Sequence, residues 1–230
     1  MKTALVTGAS SGIGLAISRK LLEMNYKVYG IGRDFSKSNL ENENFKKIIC
    51  DIRNINQLLE KAKDIKKEHR IYILINNAGV GYFGPHEELN KDKIHDMVTI
   101  NLEVPMVLTN FFLRDLKKNK GYVINISSVT AKQSSTYGCA YSATKSGLTH
   151  FSESLFDETR KTGVKVITIH PDMTKTNFYR NSNFMEGDLE ESYITSKCIA
   201  DAVETILTQR IGTIITDITI KPQKHMIKRK

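Results

Sequence analysis

Short runs of β-branched and aliphatic residues alternate along the chain with stretches whose apolar positions recur every three or four residues. The first kind reads as buried strands and the second as amphipathic helices. The pattern predicts a strand at TALVT (3–7), a helix over 12–24 and a strand at KVYGIG (27–32), together a βαβ unit. It continues with a strand at 46–50, a helix over 54–68, a strand at 71–76, a long helix over 91–118 and a strand at 122–127. A helix over 139–161, a strand at 164–170, a helix over 196–209 and a strand at 212–220 complete the series. The strands are near-continuous in Val, Ile and Leu, as in a parallel sheet covered on both faces, whose crossovers are right-handed. The expected fold is α/β: a Rossmann-like, doubly wound parallel seven-stranded sheet with helices on both faces. No Pro/Gly/Ser-rich linker or composition shift divides the 230 residues, so a single domain spans 1–230. The Asn/Glu/Lys patch at 37–47 reads as a short helix or loop, and the irregular stretch 177–196 as a substrate lid.

Composition alters this picture little. Hydrophobic residues at 40% and charged residues at 26% are ordinary for a globular domain. The formal charge of +9 raises nucleic acid or an anionic membrane as partners. In KAKDIKKEHR and RDLKKNK, however, the excess is mixed with acids. Neither they nor the tail KPQKHMIKRK carries a recognition motif or an aromatic-interleaved stripe. The charge reads as a solvated face, with no nucleic acid and no membrane expected, although it favours a phosphorylated ligand. Cys50, Cys139 and Cys198 are widely spaced without CxxC, which fits free thiols in a reducing compartment. Met1 leads almost directly into KTALVTG and no apolar run reaches membrane-spanning length, so the expected location is cytoplasmic. No cluster of His, Cys, Asp and Glu has metal-ligand spacing, and no metal is expected.

The first strand ends in TGASSGIG, with Gly8, Gly12 and Gly14. Glycines let backbone approach a pyrophosphate, and the following helix offers unpaired amides and the positive end of its dipole. The second strand ends in GIGRD, placing small Gly32 where an NAD-binding fold usually has an acid, with Arg33 next. A guanidinium grips a phosphate through two parallel bonds, and Ser10, Ser11 and Ser36 could add hydroxyls, so NADP(H) is favoured over NAD(H). A surface arginine paired with Asp34 is the alternative. In YSATK (141–145), Tyr141 and Lys145 share one helix face.

TGASSGIG, NNAG (76–79), Asn101 in TINLEV, Ser128 in NISSV and YSATK, in this order and at these separations, resemble the single-domain short-chain dehydrogenase/reductase family over nearly the whole chain. The resemblance implies cofactor contacts from Gly8, Ser10, Ser11, Gly12, Ile13 and Gly14, with Asp51 and Ile52 at the adenine and Asn77, Ala78 and Gly79 along the dinucleotide. An N-cap of the next helix is the other reading of Asp51. The resemblance makes Asn101, Ser128, Tyr141 and Lys145 the catalytic set. Tyr141 would exchange a proton with the substrate oxygen, Ser128 would hydrogen-bond that oxygen, Lys145 would hold the nicotinamide ribose, and Asn101 would position a relay water. A buried amide bonding backbone is the other reading of Asn101. In HPDMTKTNF, Pro171, Thr174 and Thr176 match the family's nicotinamide contacts, but Asp172 replaces a glycine and puts local geometry in doubt. His170 ends a strand and is not assigned as a second acid or base.

A phenol titrates near ~10, and bringing it toward neutrality requires a drop of about two to three units, or roughly 3 to 4 kcal/mol. An exposed i,i+4 pair contributes only about 0.2 to 0.5 kcal/mol, so a water-poor pocket and an oxidised nicotinamide must supply most of it. The expected activity is a reversible NADP(H)-dependent reduction of a carbonyl to an alcohol. An NADP(H)-binding regulatory protein without turnover, an isomerase or dehydratase of the same fold, and nucleic-acid binding are the alternatives. Phe178, Tyr179, Phe184, Met185 and Tyr193 of the lid, with Tyr82, Phe83, Tyr137 and Cys139 nearby, either face a substrate or pack the lid, and Arg180 could meet an anion. The family implies a homodimer or homotetramer.

Overall fold

The structure, a computed structural model, describes residues 1–230 apart from the side chain of Asn181. In chain order it runs β1 (Thr3–Thr7), α1 (Gly12–Glu23), β2 (Lys27–Gly32), β3 (Phe45–Ile49), α2 (Ile55–Glu68) and β4 (Ile71–Asn76). Next come α3 (Lys91–Val98), α4 (Val104–Asn119), β5 (Tyr122–Ile126), α5 (Cys139–Thr159) and β6 (Lys165–Pro171). The last elements are β7 (Phe184–Glu186), α6 (Ser196–Leu207), β8 (Asp217–Ile220) and β9 (Ile227–Arg229). Seven strands form one parallel sheet in the order β3-β2-β1-β4-β5-β6-β8. The order reverses between β1 and β4, and in such sheets ligands bind at the strand C-termini beside the reversal.

Alternation along each strand sends successive side chains to opposite faces, so a strand covered twice must be apolar throughout. On β1, Ala4 and Val6 pack with Ile17 and Leu21 of α1 and Ile199 and Val203 of α6, whereas Leu5 packs with Leu58 of α2 and Leu108 and Phe112 of α4. Asn54 and Asn90 start α2 and α3 by accepting the amides of Gln57 and Lys93. Among the described residues, no helix is long and apolar enough to cross a membrane.

The structure departs from the sequence pattern in three places. The long helix over 91–118 is interrupted by a π turn at Thr99–Glu103, where the Val104 amide bonds the Thr99 carbonyl. Pro105 follows and has no N–H, so the Asn101 carbonyl receives no bond from the residue four positions on. The last strand of the sheet is confined to Asp217–Ile220, preceded by a turn through Gly212, at φ +88, and by irregular residues 213–216. The stretch 177–196, expected to be irregular, contains β7, which pairs antiparallel with β9 of the basic tail, Phe184 opposite Arg229 and Glu186 opposite Ile227. The 37–47 patch takes the loop reading and runs into β3.

Phe112 is fully buried between α4 and the sheet. Phe112→Ala is expected to lower unfolding free energy by about 3 to 5 kcal/mol, read as a reduced urea midpoint at unchanged slope.

Candidate active site

The site grows from the turn between β1 and α1. Gly8 sits at φ +67, and a Cβ on Gly14 would lie 2.3 Å from the Gly8 carbonyl oxygen, so helix and turn meet at a distance only glycine permits. Ser11 begins α1 without a side-chain cap, and the first turn holds no acid. Its amides are therefore open to an anion, which fits the phosphates of a dinucleotide. Thr7 accepts the amides of Asn77 and Ala78, both at 3.0 Å, and Asn77 Nδ2 donates to the Thr7 carbonyl at 2.9 Å. These bonds tie the ends of β1 and β4 together. Thr7 was not among the candidate residues; its position in TGASSGIG, at the end of β1, was the available signal.

A cavity of about 340 Å³ runs from this turn along the strand ends. Gly8, Ser10, Ser11, Gly12 and Ile13 line it, while Gly14 packs behind the turn. At one end stand Arg33, Asp51 and Ile52. Asp34 accepts the amide and hydroxyl of Ser36 at 2.7 and 2.8 Å. Arg33 is not the partner of Asp34, and among the described residues it makes no ion pair. Ser36 spends its hydroxyl on Asp34 and does not line the cavity. Asp51 does not cap α2, a position Asn54 takes. Arg53 instead grips the Asp51 carboxylate, at 2.6 Å through its terminal nitrogen, and holds its pKa below the usual range. Arg53 is thus a second cation on this wall, unremarked in the sequence because it reads as an ordinary helix-flanking residue.

The other end gathers Gly79, Ser128, Tyr141 and Lys145, with Asn77 and Ala78 between the two ends. Asn101 lies beside it, fully buried, its Oδ1 accepting the Val80 amide and its Nδ2 donating to the Val80 carbonyl, each at 2.9 Å. Nδ2 also reaches Thr144 Oγ1 at 3.1 Å. The side chain is held by Val80 and Thr144, so the buried-amide reading describes it. Lys145 Nζ donates to the Ile126 carbonyl at 2.8 Å and lies 5.8 Å from the Tyr141 ring centre. Burial lowers its pKa to about 8.

Burial pushes the Tyr141 phenol well above the usual tyrosine range, and the Ser128 hydroxyl acts weakly in the opposite sense. The acidified phenol expected from YSATK is therefore not a property of the protein alone: the ammonium serves a strand end. Ser127 turns away, donating to the Lys145 carbonyl at 3.1 Å.

Pro171, Thr174 and Thr176 also line the cavity. Thr176 accepts the Phe178 amide at 3.2 Å, and Thr174 donates to the Asp172 carbonyl at 2.8 Å. Asp172 has no positive φ, and its carboxylate accepts the Met173 amide at 2.8 Å, so no glycine is required there. Phe83 stands over the site, its ring centre 5.4 Å from that of Tyr141 and 5.2 Å from that of Phe184, while Phe178 lies 5.7 Å from Tyr141. Tyr137 is exposed.

Known proteins match this arrangement. The family model for short chain dehydrogenase matches residues 2–187. A 3-oxoacyl-[acyl-carrier-protein] reductase of Buchnera aphidicola is 33% identical, over 95% of this chain and 94% of its own. An alcohol dehydrogenase of the archaeon Thermococcus sibiricus, solved with 5-hydroxy-NADP, superposes with a TM-score of 0.88 at 24% identity, over 98% and 99% of the two chains. A 4-hydroxyisoleucine dehydrogenase solved with NADH gives 0.85 at 21%, over 96% and 98%. With the family model spanning most of its length, a 33% identical relative over 95% of it and a shared fold, the chain belongs to the short-chain dehydrogenase family of oxidoreductases.

Proposed function

We propose that this oxidoreductase uses NADP(H) to reduce a carbonyl to an alcohol, reversibly, with Tyr141 as acid and base. The observation that carries the reading is one cavity with Ser128, Tyr141 and Lys145 at one end and Arg33 at the other. Bound along it, the cofactor supplies or accepts the hydride. Tyr141, kept protonated by burial, gives its phenolic proton to the substrate oxygen, and Ser128 donates a hydrogen bond as charge develops there. Lys145 holds the ribose hydroxyls, and the Asn101 carbonyl holds a relay water.

Preference for the 2′-phosphate is supported by Gly32 and an Arg33 without an ion pair, although similar structures include complexes with NADH as well as an NADP derivative. The rings of Phe83, Phe178 and Phe184 support an apolar substituent beside the carbonyl, and the Buchnera relative, named for a 3-oxoacyl substrate, supports a carbonyl. A homodimer or homotetramer through α4 and α5 is part of the proposal. The second reading is a cofactor-binding protein without turnover, favoured by the packing of Phe83 and Phe178 over a Tyr141 that is only 7% exposed.

Tyr141→Phe is expected to lower kcat for NADPH oxidation with a carbonyl panel by at least about 100-fold while NADPH affinity is kept; near-normal turnover in the folded variant rejects the mechanism. Arg33→Ala is expected to raise KM for NADPH about tenfold and leave KM for NADH unchanged, the difference measuring its phosphate contact. Lys145 loses its proton as pH rises through about 8 in the cofactor-free protein. The ratio kcat/KM for NADPH, which reports the free enzyme, is therefore expected to fall above that pH.

A further inference from the structure

His170, on β6, is fully buried, and each of its ring nitrogens faces an acceptor. Nδ1 lies 3.1 Å from the Ser128 carbonyl oxygen, and Nε2 lies 2.7 Å from Oδ2 of Asp217 on β8. A carbonyl and a carboxylate offer lone pairs only, whereas a neutral imidazole carries a single N–H. Both contacts are hydrogen bonds only when both nitrogens carry hydrogen. Lys132 donates to the other oxygen of Asp217 at 2.5 Å and to Thr219 at 2.9 Å. From α5, Glu153 and Asp157 line a small cavity shared with Asp217.

Ser128 is gripped from two sides. Its carbonyl also accepts the Ala131 amide at 3.0 Å, and its hydroxyl oxygen accepts the Thr130 amide at 3.2 Å and the Thr130 hydroxyl at 3.0 Å. With two donors on its oxygen, the Ser128 hydroxyl has its own proton left to give.

We infer that the Asp217–His170 pair is a positioning element: a ring bearing both hydrogens, matched by the Asp217 carboxylate, pins the Ser128 carbonyl and aims the Ser128 hydroxyl at the reacting oxygen. The inference rests on the role proposed for Ser128.

Asp217→Asn tests it, because an amide oxygen still accepts from Nε2 but no longer matches a charged ring, and Asp217 is 41% exposed at its side chain. The expected result is a loss of about tenfold in kcat, of the order of one buried hydrogen bond, at unchanged NADPH affinity. NMR of the ring nitrogens is expected to show both protonated in the native protein and only one in the variant. A native His170 with one protonated nitrogen, or a variant with native kcat, overturns the inference. The NMR result needs no turnover, so it separates from failure of the catalytic reading, which native activity in Ser128→Ala would show.

Discussion

The site depends on a buried ammonium held against the end of a strand. Lys145, only 3% exposed, reaches from α5 to the Ile126 carbonyl, at the point where β5 stops and the chain turns into Ser128. Burying an amine costs several kcal/mol unless partners compensate, and one carbonyl is weak compensation, which is why the pKa is depressed. A methionine of similar volume would pack there at less cost, so the charge is a functional expense. It fixes the distance between α5 and β5, and with it the relation of Tyr141, one turn earlier, to Ser128.

That geometry divides the work between protein and cofactor. On its own the protein keeps the phenol protonated, and the cation beside it is occupied by backbone. Under the proposed mechanism, a ligand whose hydroxyls attract the ammonium and whose ring carries charge when oxidised would change both conditions at once. Such coupling would make the Tyr141 phenol responsive to the cofactor's redox state, which isolated sequence spacing does not convey.

The central strands were legible because they are buried on both faces and so read as unbroken apolar runs, as in Ile71–Asn76 and Tyr122–Ile126. The glycine turn and the Tyr141–Lys145 pair were legible because glycine torsions and helical spacing are local properties, whereas Ser128 came from the family resemblance. Roles decided by distant partners were not. The occupation of the Asn101 amide by Val80 and the turning of Lys145 toward Ile126 depend on residues in other elements. His170 looks the same in sequence whether it faces a cavity or Asp217, 47 positions away. Pro105 was visible, but its effect on the helix across 91–118 follows only from knowing which carbonyl it deprives.

The pairing of β7 with β9 gives the lid a mechanical character. Lys224 meets Glu191 at 2.5 Å, Lys228 meets Asp188, and Lys230 donates to the Tyr179 carbonyl at 2.7 Å, so the basic tail is stitched across an acidic lid. A three-residue ladder held by exposed ion pairs is weak and sensitive to ionic strength. Were this stretch to open, it would resemble unfastening a zip more than swinging a door, with the salinity of the medium setting how readily the stitches give way.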